Sequence, residues 1–293
     1  MALLSGMPAP PIQSLNVIVS GQEARSAVWA ARRSGESVGL VPTMGALHEG
    51  HLSLVDAALA ECDRVMASIF VNPTQFGPGE DFSRYPRPLE RDLEMLRERG
   101  CHWAFVPEVA EMYPPDFDTF IDVGAFARPW EGVARPGHFR GVATVVHKLF
   151  QLAPADRAYF GQKDYQQSLV VRRMVEDLHM PIEVRVRPIV RDADGLALSS
   201  RNVYLSPDER RRACALRQAL AIAEAARSAG ETDSAKIRHQ MLAHLRDVGG
   251  VEVEYIAILR DGTVEEADSI VGPTVIAIAA RAGTTRLIDN VRI

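Results

Sequence analysis

The sequence has 293 residues, of which 47% are hydrophobic and 24% are charged, a composition that is typical of a globular enzyme and excludes a fibrous or intrinsically disordered chain. A chain of this length can bury one large core or two ordinary ones, and we expect two domains. The formal net charge of −5 provides no broad positive field, which argues against a nucleic-acid-binding protein and against a polybasic membrane contact.

The N-terminal segment and the cysteines both favour a cytoplasmic protein. The start, MALLSGMPAPPIQSL, lacks the basic and long apolar parts of a signal peptide, and no later run is long enough to span a bilayer. We expect this Pro-rich start to fray. Cys62, Cys101 and Cys214 are odd in number and far apart, which is not the spacing of a zinc site or a disulfide framework.

From Gly39 to Val190, short apolar runs alternate with amphipathic stretches, the pattern of βα units around a parallel sheet. Helical spacing of apolar residues predicts one helix from His51 to Glu61 and another within residues 142–152. Ligands of such open sheets bind beyond the carboxyl ends of the strands, so we expect the functional residues there. The predicted strands are Val38 to Val41, Val65 to Val71, Trp103 to Val106, Arg157 to Phe160 and Ile182 to Val186.

After Asn202 the pattern changes. Ser206, Pro207 and Glu209 form a capping-box signature with proline at the first helical position, which predicts the start of a long Ala- and Arg-rich helix. The sequence therefore predicts an α/β protein with a parallel-sheet domain in residues 1–187 and a smaller α+β lid domain in residues 188–293. The later strands are predicted at Val251 to Ile258, Val275 to Ala279 and Thr285 to Ile288, separated by turns without a long helix.

The most specific segment is VPTMGALHEGHLSLV, residues 41–55, which runs from a strand through a Gly-containing turn into a helix. Backbone N–H groups at a helix N-terminus carry partial positive charge and suit phosphate oxygens. His48 and His51 can point at the same bound group, and Gly45 and Gly50 allow the backbone to approach it. The alternative is a plain strand-turn-helix whose histidines cap the helix or face solvent.

This segment resembles the HxGH nucleotide signature of the HIGH superfamily, and nearly the whole chain resembles the pantothenate synthetase family. The resemblance implies a Rossmann-like domain that binds ATP and pantoate, a smaller domain over the active site, and a homodimer. The other matching segments, in the family's order, are SIFVNPTQF at 68–76, YPR at 85–87, GHFRGVATVVHKLF at 137–150, FGQKDYQQ at 160–167 and DGLALSSRN at 194–202.

The resemblance also implies the site residues. The family usually has Glu at the position of Gln162 and often Met at that of Leu198. Asp92 is a candidate metal ligand. The implied ATP-binding residues are Met44, Gly45, Ala46, Leu47, His48, Glu49, Gly50, His51, Gly161, Gln162, Lys163, Asp164, Val190, Leu198, Ser199, Ser200 and Arg201. The implied catalytic residues are His48, His51 (the proton donor), Lys163, Ser199, Ser200 and Arg201, and the implied substrate-binding residues are Gln75, Gln167, Asn72 and Tyr85.

The implied reaction is the ATP-dependent condensation of pantoate with β-alanine to pantothenate, through a pantoyl-adenylate, with Mg²⁺ neutralising the departing pyrophosphate. The chemistry of the residues agrees: a lysine, an arginine and serine hydroxyls suit polyphosphate, and the neutral amides of glutamines suit a hydroxy acid. Each of these residues also has an ordinary interpretation as an exposed loop residue. Two other functions remain open: a nucleotidyltransferase of the same superfamily, which calls for more basic residues in the acceptor pocket, and a non-catalytic nucleotide sensor.

Overall fold

The structure, a computed structural model, describes residues 14–293, so most of the segment predicted to fray lies outside the described residues. None of the helices in this part of the chain is both long and apolar enough to cross a membrane. The strands are β1 (Asn16–Ile18), β2 (Val38–Thr43), β3 (Arg64–Ile69), β4 (Trp103–Phe105), β5 (Arg157–Gly161), β6 (Glu183–Arg187), β7 (Val251–Arg260), β8 (Thr274–Ala282) and β9 (Thr285–Arg292). The helices are α1 (Gly21–Arg33), α2 (Glu49–Glu61), α3 (Leu89–Glu98), α4 (Val109–Met112), α5 (Glu131–Ala134), α6 (His138–Leu152), α7 (Tyr165–Asp177), α8 (Pro207–Ala213), α9 (Ala215–Ser228) and α10 (Ser234–Val248).

The first six strands form one parallel sheet in the order β1-β4-β3-β2-β5-β6, which confirms the predicted sheet. The chain proceeds from β2 to one side through β3 and to the other side through β5. The order therefore reverses between β2 and β5, which is the position where open α/β sheets bind ligands.

Helices cover both faces of this sheet, which explains why its central strands β2 and β3 are buried on both sides. On one face Val38 and Leu40 of β2 pack in a core with α1, α6 and α7. On the other face Val41 packs with residues of α2 and α3. The edge strand β1 spans only three residues, Asn16–Ile18, which is too short for its alternation to be evident from sequence.

The last three strands form a separate antiparallel sheet in the order β7-β8-β9, with α8, α9 and α10 packed on it around a second apolar core. The predicted capping box is present, since Ser206 Oγ accepts from the Glu209 N–H at 3.3 Å and the Glu209 carboxylate accepts from the Ser206 N–H at 2.8 Å. The predicted long helix is present in two parts, α8 and α9, which are separated at Cys214. The backbone of Cys214 stays in the right-handed helical region, with φ −60° and ψ −19°.

The second sheet packs against the carboxyl edge of the first. Asn290 of β9 donates from its amide to the carbonyl oxygens of Gln162 and Lys163, at 2.9 and 3.0 Å. Trp130 donates from its indole to the carbonyl of Val264 at 3.1 Å. The boundary predicted between residues 187 and 188 falls directly after β6, the last strand of the parallel sheet.

Candidate active site

A cleft opens at the carboxyl edge of the parallel sheet, where the strand order reverses. It is lined by residues that follow β2, β3 and β5 and by the connection after β6. The sequence-predicted residues that line it are Met44, His48, Gly50, His51, Asn72, Gln75, Tyr85, Gly161, Lys163, Asp164, Gln167, Val190, Leu198, Ser199, Ser200 and Arg201.

Several predicted ATP-binding residues do not line this cleft. Gly45 and Ala46 form the tight turn after β2, with φ values of 78° and 49°. Leu47 is buried in the core beneath α2. Glu49 is exposed and pairs with Arg99 at 2.6 Å. These residues support the shape of the turn, and a side-chain contact of Leu47 or Glu49 with a nucleotide is not favoured by this geometry.

Asp92 holds the same turn from beneath. Its carboxylate accepts from the backbone N–H groups of Ala46 and Leu47, both at 2.8 Å, and the residue is only 1% exposed. Burial raises the pKa of Asp92, although the two N–H groups oppose this shift. Within residues 14–293, no group of three or more His, Cys, Asp or Glu side chains is arranged to hold a metal ion. The geometry favours a structural role, and a metal-binding role for Asp92 stays a prediction.

The two histidines lie together at the start of α2. Their rings stack with centroids 4.0 Å apart, and His48 caps the helix because its Nδ1 accepts from the Gly50 N–H at 3.1 Å. Burial, and then the charge of Lys163, lowers the pKa of His48 from 6.5 to about 4. Burial, followed by His48 and Lys163, holds the pKa of His51 well below its ordinary value. Both rings are therefore neutral at pH 7, and the proton of His48 is on Nε2, where it can be donated to a ligand.

Positive charge reaches the cleft from two loops. Lys163 follows β5, and its Nζ lies 3.6 Å from the carboxylate of Asp164. Arg201 donates from Nε and Nη2 to Asp81, both at 2.8 Å, and lies 5.5 Å from the centre of the Tyr85 ring. Asp81 was not evident from sequence. A guanidinium has five N–H groups, so this pair leaves donors of Arg201 for a ligand.

The acid-binding side of the cleft is built around Gln75. Its Oε1 accepts from Asn72 Nδ2 at 3.1 Å, and its amide nitrogen lies 2.9 Å from the Met44 sulfur. Asn72 is 1% exposed and also accepts from Tyr113 Oη at 2.9 Å, so it orients Gln75 from below. Gln167 lines the cleft from the first turn of α7. The adjoining wall is apolar and consists of Phe70, Val142, Val145, Val146, Leu149 and Phe160.

The family model of pantoate-beta-alanine ligase matches residues 16–292. The chain belongs to this family. The pantothenate synthetase of Thermotoga neapolitana is 51% identical over 276 residues, which cover 94% of this chain and 99% of that protein. The pantothenate synthetase of Roseiflexus castenholzii is 56% identical over 254 residues, which cover 87% and 91%.

Solved structures of pantothenate synthetases are also similar over nearly the whole chain. The enzyme from Thermus thermophilus is 48% identical with a TM-score of 0.90, and the match covers 94% of this chain and 99% of that one. The pantoate-beta-alanine ligase from Francisella tularensis, complexed with beta-gamma ATP and beta-alanine, is 32% identical with a TM-score of 0.81, and the match covers 95% and 97%.

The two departures from the family pattern have defined places in this ligase fold. Gln162 donates from its amide to Asn290 Oδ1 at 3.1 Å, so it anchors the turn of Lys163 to β9. Leu198 lines the cleft, and its N–H donates to the carbonyl of Val190 at 3.0 Å. The side-chain amide of Gln162 thus donates to Asn290, and Asn290 donates back to the backbone carbonyl of Gln162.

Residues of the second sheet support the site, although they are not evident from sequence. Arg191 forms a bidentate ion pair with Asp289 at 2.6 and 2.9 Å, which fixes the connection after β6 against β9. Ser200 Oγ donates to the carbonyl of Ala46 at 3.0 Å and joins this connection to the turn before α2. The sequence gives little signal for these contacts, because Asp289 and Asn290 lie in a strand, TRLIDNVR, that also has polar residues at Thr285, Arg286 and Arg292.

Proposed function

We propose that this chain is an AMP-forming acid–amine ligase that condenses pantoate with β-alanine and forms a pantoyl-adenylate intermediate from ATP. The observation that carries the proposal is a single cleft with two adjoining parts. One part holds the neutral pair His48 and His51 together with the cations of Lys163 and Arg201, and the other is a pocket with two glutamine amides and an apolar wall. Membership of the pantoate-beta-alanine ligase family supports it. The Francisella tularensis relative, complexed with beta-gamma ATP and beta-alanine, supports the choice of nucleotide and amine.

In the first step a carboxylate oxygen of pantoate attacks the α-phosphorus of ATP, and the bond to the bridging oxygen of pyrophosphate breaks. The chain supplies positioning and charge stabilisation and no covalent nucleophile. The donors for the charge that grows on the phosphate oxygens are the N–H of His48 Nε2, the ring N–H of His51, the N–H groups of Arg201 and the ammonium of Lys163. Ser199 and Ser200, next to Arg201, add hydroxyl groups to the part of the cleft that would face the phosphates.

The acid is held by neutral groups. The amides of Gln75 and Gln167 can both donate to and accept from hydroxyl groups, while the apolar wall suits the two methyl groups of pantoate. A salt bridge to the carboxylate would stabilise the ground state of the nucleophile, so neutral donors favour attack. A nucleotidyltransferase that accepts a phosphate ester would instead need basic residues along this wall.

In the second step the amine of β-alanine attacks the carbonyl carbon of the adenylate, the bond to the AMP oxygen breaks, and the amine loses a proton. Water has to be excluded from the reactive adenylate. We propose that residues 188–293 form a lid domain that does this, with its hinge in residues 188–200. Arg191 lies within this hinge and is paired with Asp289 of the lid.

Mg²⁺ in nucleotide sites is usually bound by one or two carboxylates together with phosphate oxygens, and when bound it neutralises charge on the pyrophosphate. Among the described residues that line the cleft, Asp164 supplies such a carboxylate, and it is partly exposed. We propose Asp164 as the protein contact of the metal. We also propose that the protein is cytoplasmic and homodimeric. Sedimentation of the purified chain would test whether it is a dimer.

The test is the exchange of labelled pyrophosphate into ATP, followed by product analysis. We expect exchange that requires pantoate and pantothenate formation that additionally requires β-alanine. Exchange that requires a phosphate ester in place of pantoate would identify a nucleotidyltransferase. ATP binding without either reaction would identify a nucleotide sensor.

A further inference from the structure

The segment GHFRG places a buried histidine against the backbone of the acid-binding glutamine. His138, the first residue of α6, lies with Nδ1 2.9 Å from the carbonyl oxygen of Gln75. Arg135 Nη2 lies 3.3 Å from the same oxygen. His138 is 7% exposed and does not line the cleft that contains Gln75. It lines an adjoining cavity with Lys163 and Gln167, but its hydrogen bond toward the acid-binding side is the one to the Gln75 carbonyl.

The partners of the ring determine its tautomer. A backbone carbonyl can only accept, so Nδ1 of His138 carries a proton and donates it to Gln75. Arg135 Nη1, which can only donate, lies 3.0 Å from Nε2, so Nε2 is unprotonated and accepts. Burial, and then the charge of Arg135, lowers the pKa of His138 to about 4, in agreement with a neutral ring at pH 7.

Arg135 is itself held in place. Its Nε and Nη2 donate to the two carboxylate oxygens of Glu80, both at 2.8 Å. Although burial opposes the shift, these contacts lower the pKa of Glu80 to about 2, so the pair stays charged over the whole neutral range. The result is a chain of directed hydrogen bonds from Glu80 through Arg135 and His138 to the Gln75 carbonyl.

The contact between α6 and the turn of Gln75 is tight. A methyl group on Gly141 would lie 2.3 Å from the carbonyl oxygen of Thr74 and 2.7 Å from Cα of Gln75. The carbonyl of Gly141 also accepts from Asn72 Nδ2 at 3.2 Å. The backbone of this turn is thus fixed by two contacts with α6: the close approach of Gly141 and the hydrogen bond from His138 to the carbonyl of Gln75.

We propose that His138, in the tautomer set by Arg135, is a positioning residue that holds the Gln75 carbonyl and thereby orients the Gln75 amide toward the acid. The inference rests on the proposed function, because it assigns Gln75 to the acid. It adds a specific role for a donor on Nδ1 of His138, which neither the cleft lining nor the family membership assigns.

The experiment compares His138→Asn with His138→Gln. The amide of asparagine takes the place of Nδ1 and can still donate to Gln75, whereas the amide of glutamine takes the place of Nε2 and contacts Arg135 instead. We expect His138→Gln to raise the half-saturating pantoate concentration in pyrophosphate exchange about tenfold or more, with that for ATP changed less than about twofold. His138→Asn should remain within about threefold of wild type for both substrates.

In a Gln75→Leu background, His138→Gln should have little further effect on pantoate use, because its effect passes through Gln75. His102→Gln is the matched control, since this ring also bonds a backbone group, accepting from the Val65 N–H at 3.1 Å, but is absent from the described cleft lining. Equal pantoate values in the Asn and Gln variants, or equal losses for pantoate and ATP, would overturn the proposal. If the wild type itself showed no pantoate-dependent exchange, the proposed function would fail instead.

Discussion

His48 and His51 differ in how their ring nitrogens are occupied. Nδ1 of His48 is engaged by the Gly50 N–H, which leaves Nε2–H as a donor. Nδ1 of His51 is buried without a hydrogen-bond partner among the described residues. A methyl group at Gly50 would lie 2.9 Å from atoms of the His48 ring, so glycine is needed for this stack. His51 therefore has a ring nitrogen that no described residue engages, whereas Nδ1 of His48 is already engaged.

We predict that His51→Ala lowers pantoate-dependent pyrophosphate exchange about a hundredfold at saturating ATP, while the half-saturating ATP concentration changes less than about threefold. The reason is that a contact which strengthens as charge develops acts on the transition state more than on binding. The matched control is His239→Ala, because His239 is exposed on α10. Near-normal exchange in the His51 variant would remove His51 from the catalytic group.

For the acid pocket, we predict that Gln75→Leu and Gln167→Leu each raise the half-saturating pantoate concentration about tenfold to a hundredfold without a comparable effect on ATP. A polar group of the acid opposite leucine loses a hydrogen bond, which costs roughly 1 to 3 kcal/mol. Wild type should also prefer pantoate over an analogue lacking one hydroxyl, and the variants should prefer it less. The control is Gln240→Leu, because Gln240 is exposed on α10. An unchanged preference for pantoate in both Gln75→Leu and Gln167→Leu would exclude these glutamines from the acid pocket.

At the scale of elements, local patterns were sufficient for five of the six parallel strands, the start of α2 and the capping box of Ser206. These depend on neighbours within a few residues. The support of the site depends instead on distant partners, such as Glu131 and Arg286, which are 155 residues apart and form two hydrogen bonds of 2.6 and 2.8 Å. No local pattern indicates such a pair. The helical part of the apolar wall, within residues 142–152, was likewise predicted only as a helix packed on the sheet. Its apolar spacing is the same whether the helix faces a core or a cleft.

We predict that Gly141→Ala both destabilises the protein and weakens acid use, because α6 would be forced away from the turn of Gln75. Overpacking of this kind costs roughly 1 to 3 kcal/mol, and the displaced turn carries the acid-binding amide. Chemical denaturation and pantoate titration of the same samples would measure both effects. Gly272→Ala is the control, since no atom lies within 4 Å of the added methyl group there. Unchanged stability and unchanged pantoate use would show that the close contact is not required.

At the scale of the whole molecule, the two sheets are joined across the site by buried and directed polar contacts. Glu131 of α5 is 6% exposed and binds Arg286 of β9 as well as Tyr255 Oη, at 3.0 Å. Although burial opposes it, Arg286 holds the pKa of Glu131 below its ordinary value. The relative position of the sheets therefore depends on groups that stay charged near neutral pH. Protonation of such carboxylates at low pH should lower the free energy of unfolding.

We predict that the free energy of unfolding falls as the pH is lowered from about 6.5 to 4.5. His48 and His138 both have their pKa lowered from 6.5 to about 4 in the folded chain, so over this interval the unfolded chain binds protons that the folded chain does not. Each such group can contribute up to about 1.4 kcal/mol per pH unit, and the two together give an expected loss on the order of 2 to 4 kcal/mol. Asp92, whose pKa is raised, acts in the opposite direction but is a single group. Above about pH 7.5 these histidines are nearly all neutral in both states and contribute almost no slope. His51, whose pKa is also lowered by burial, acts in the same direction. Chemical denaturation at pH 7, 6, 5 and 4.5 would measure the effect, and His138→Asn, which removes one of these groups, should lose less stability than wild type over the same interval. A stability that stays constant or rises between pH 7 and 4.5 would mean that these rings are not held neutral by burial.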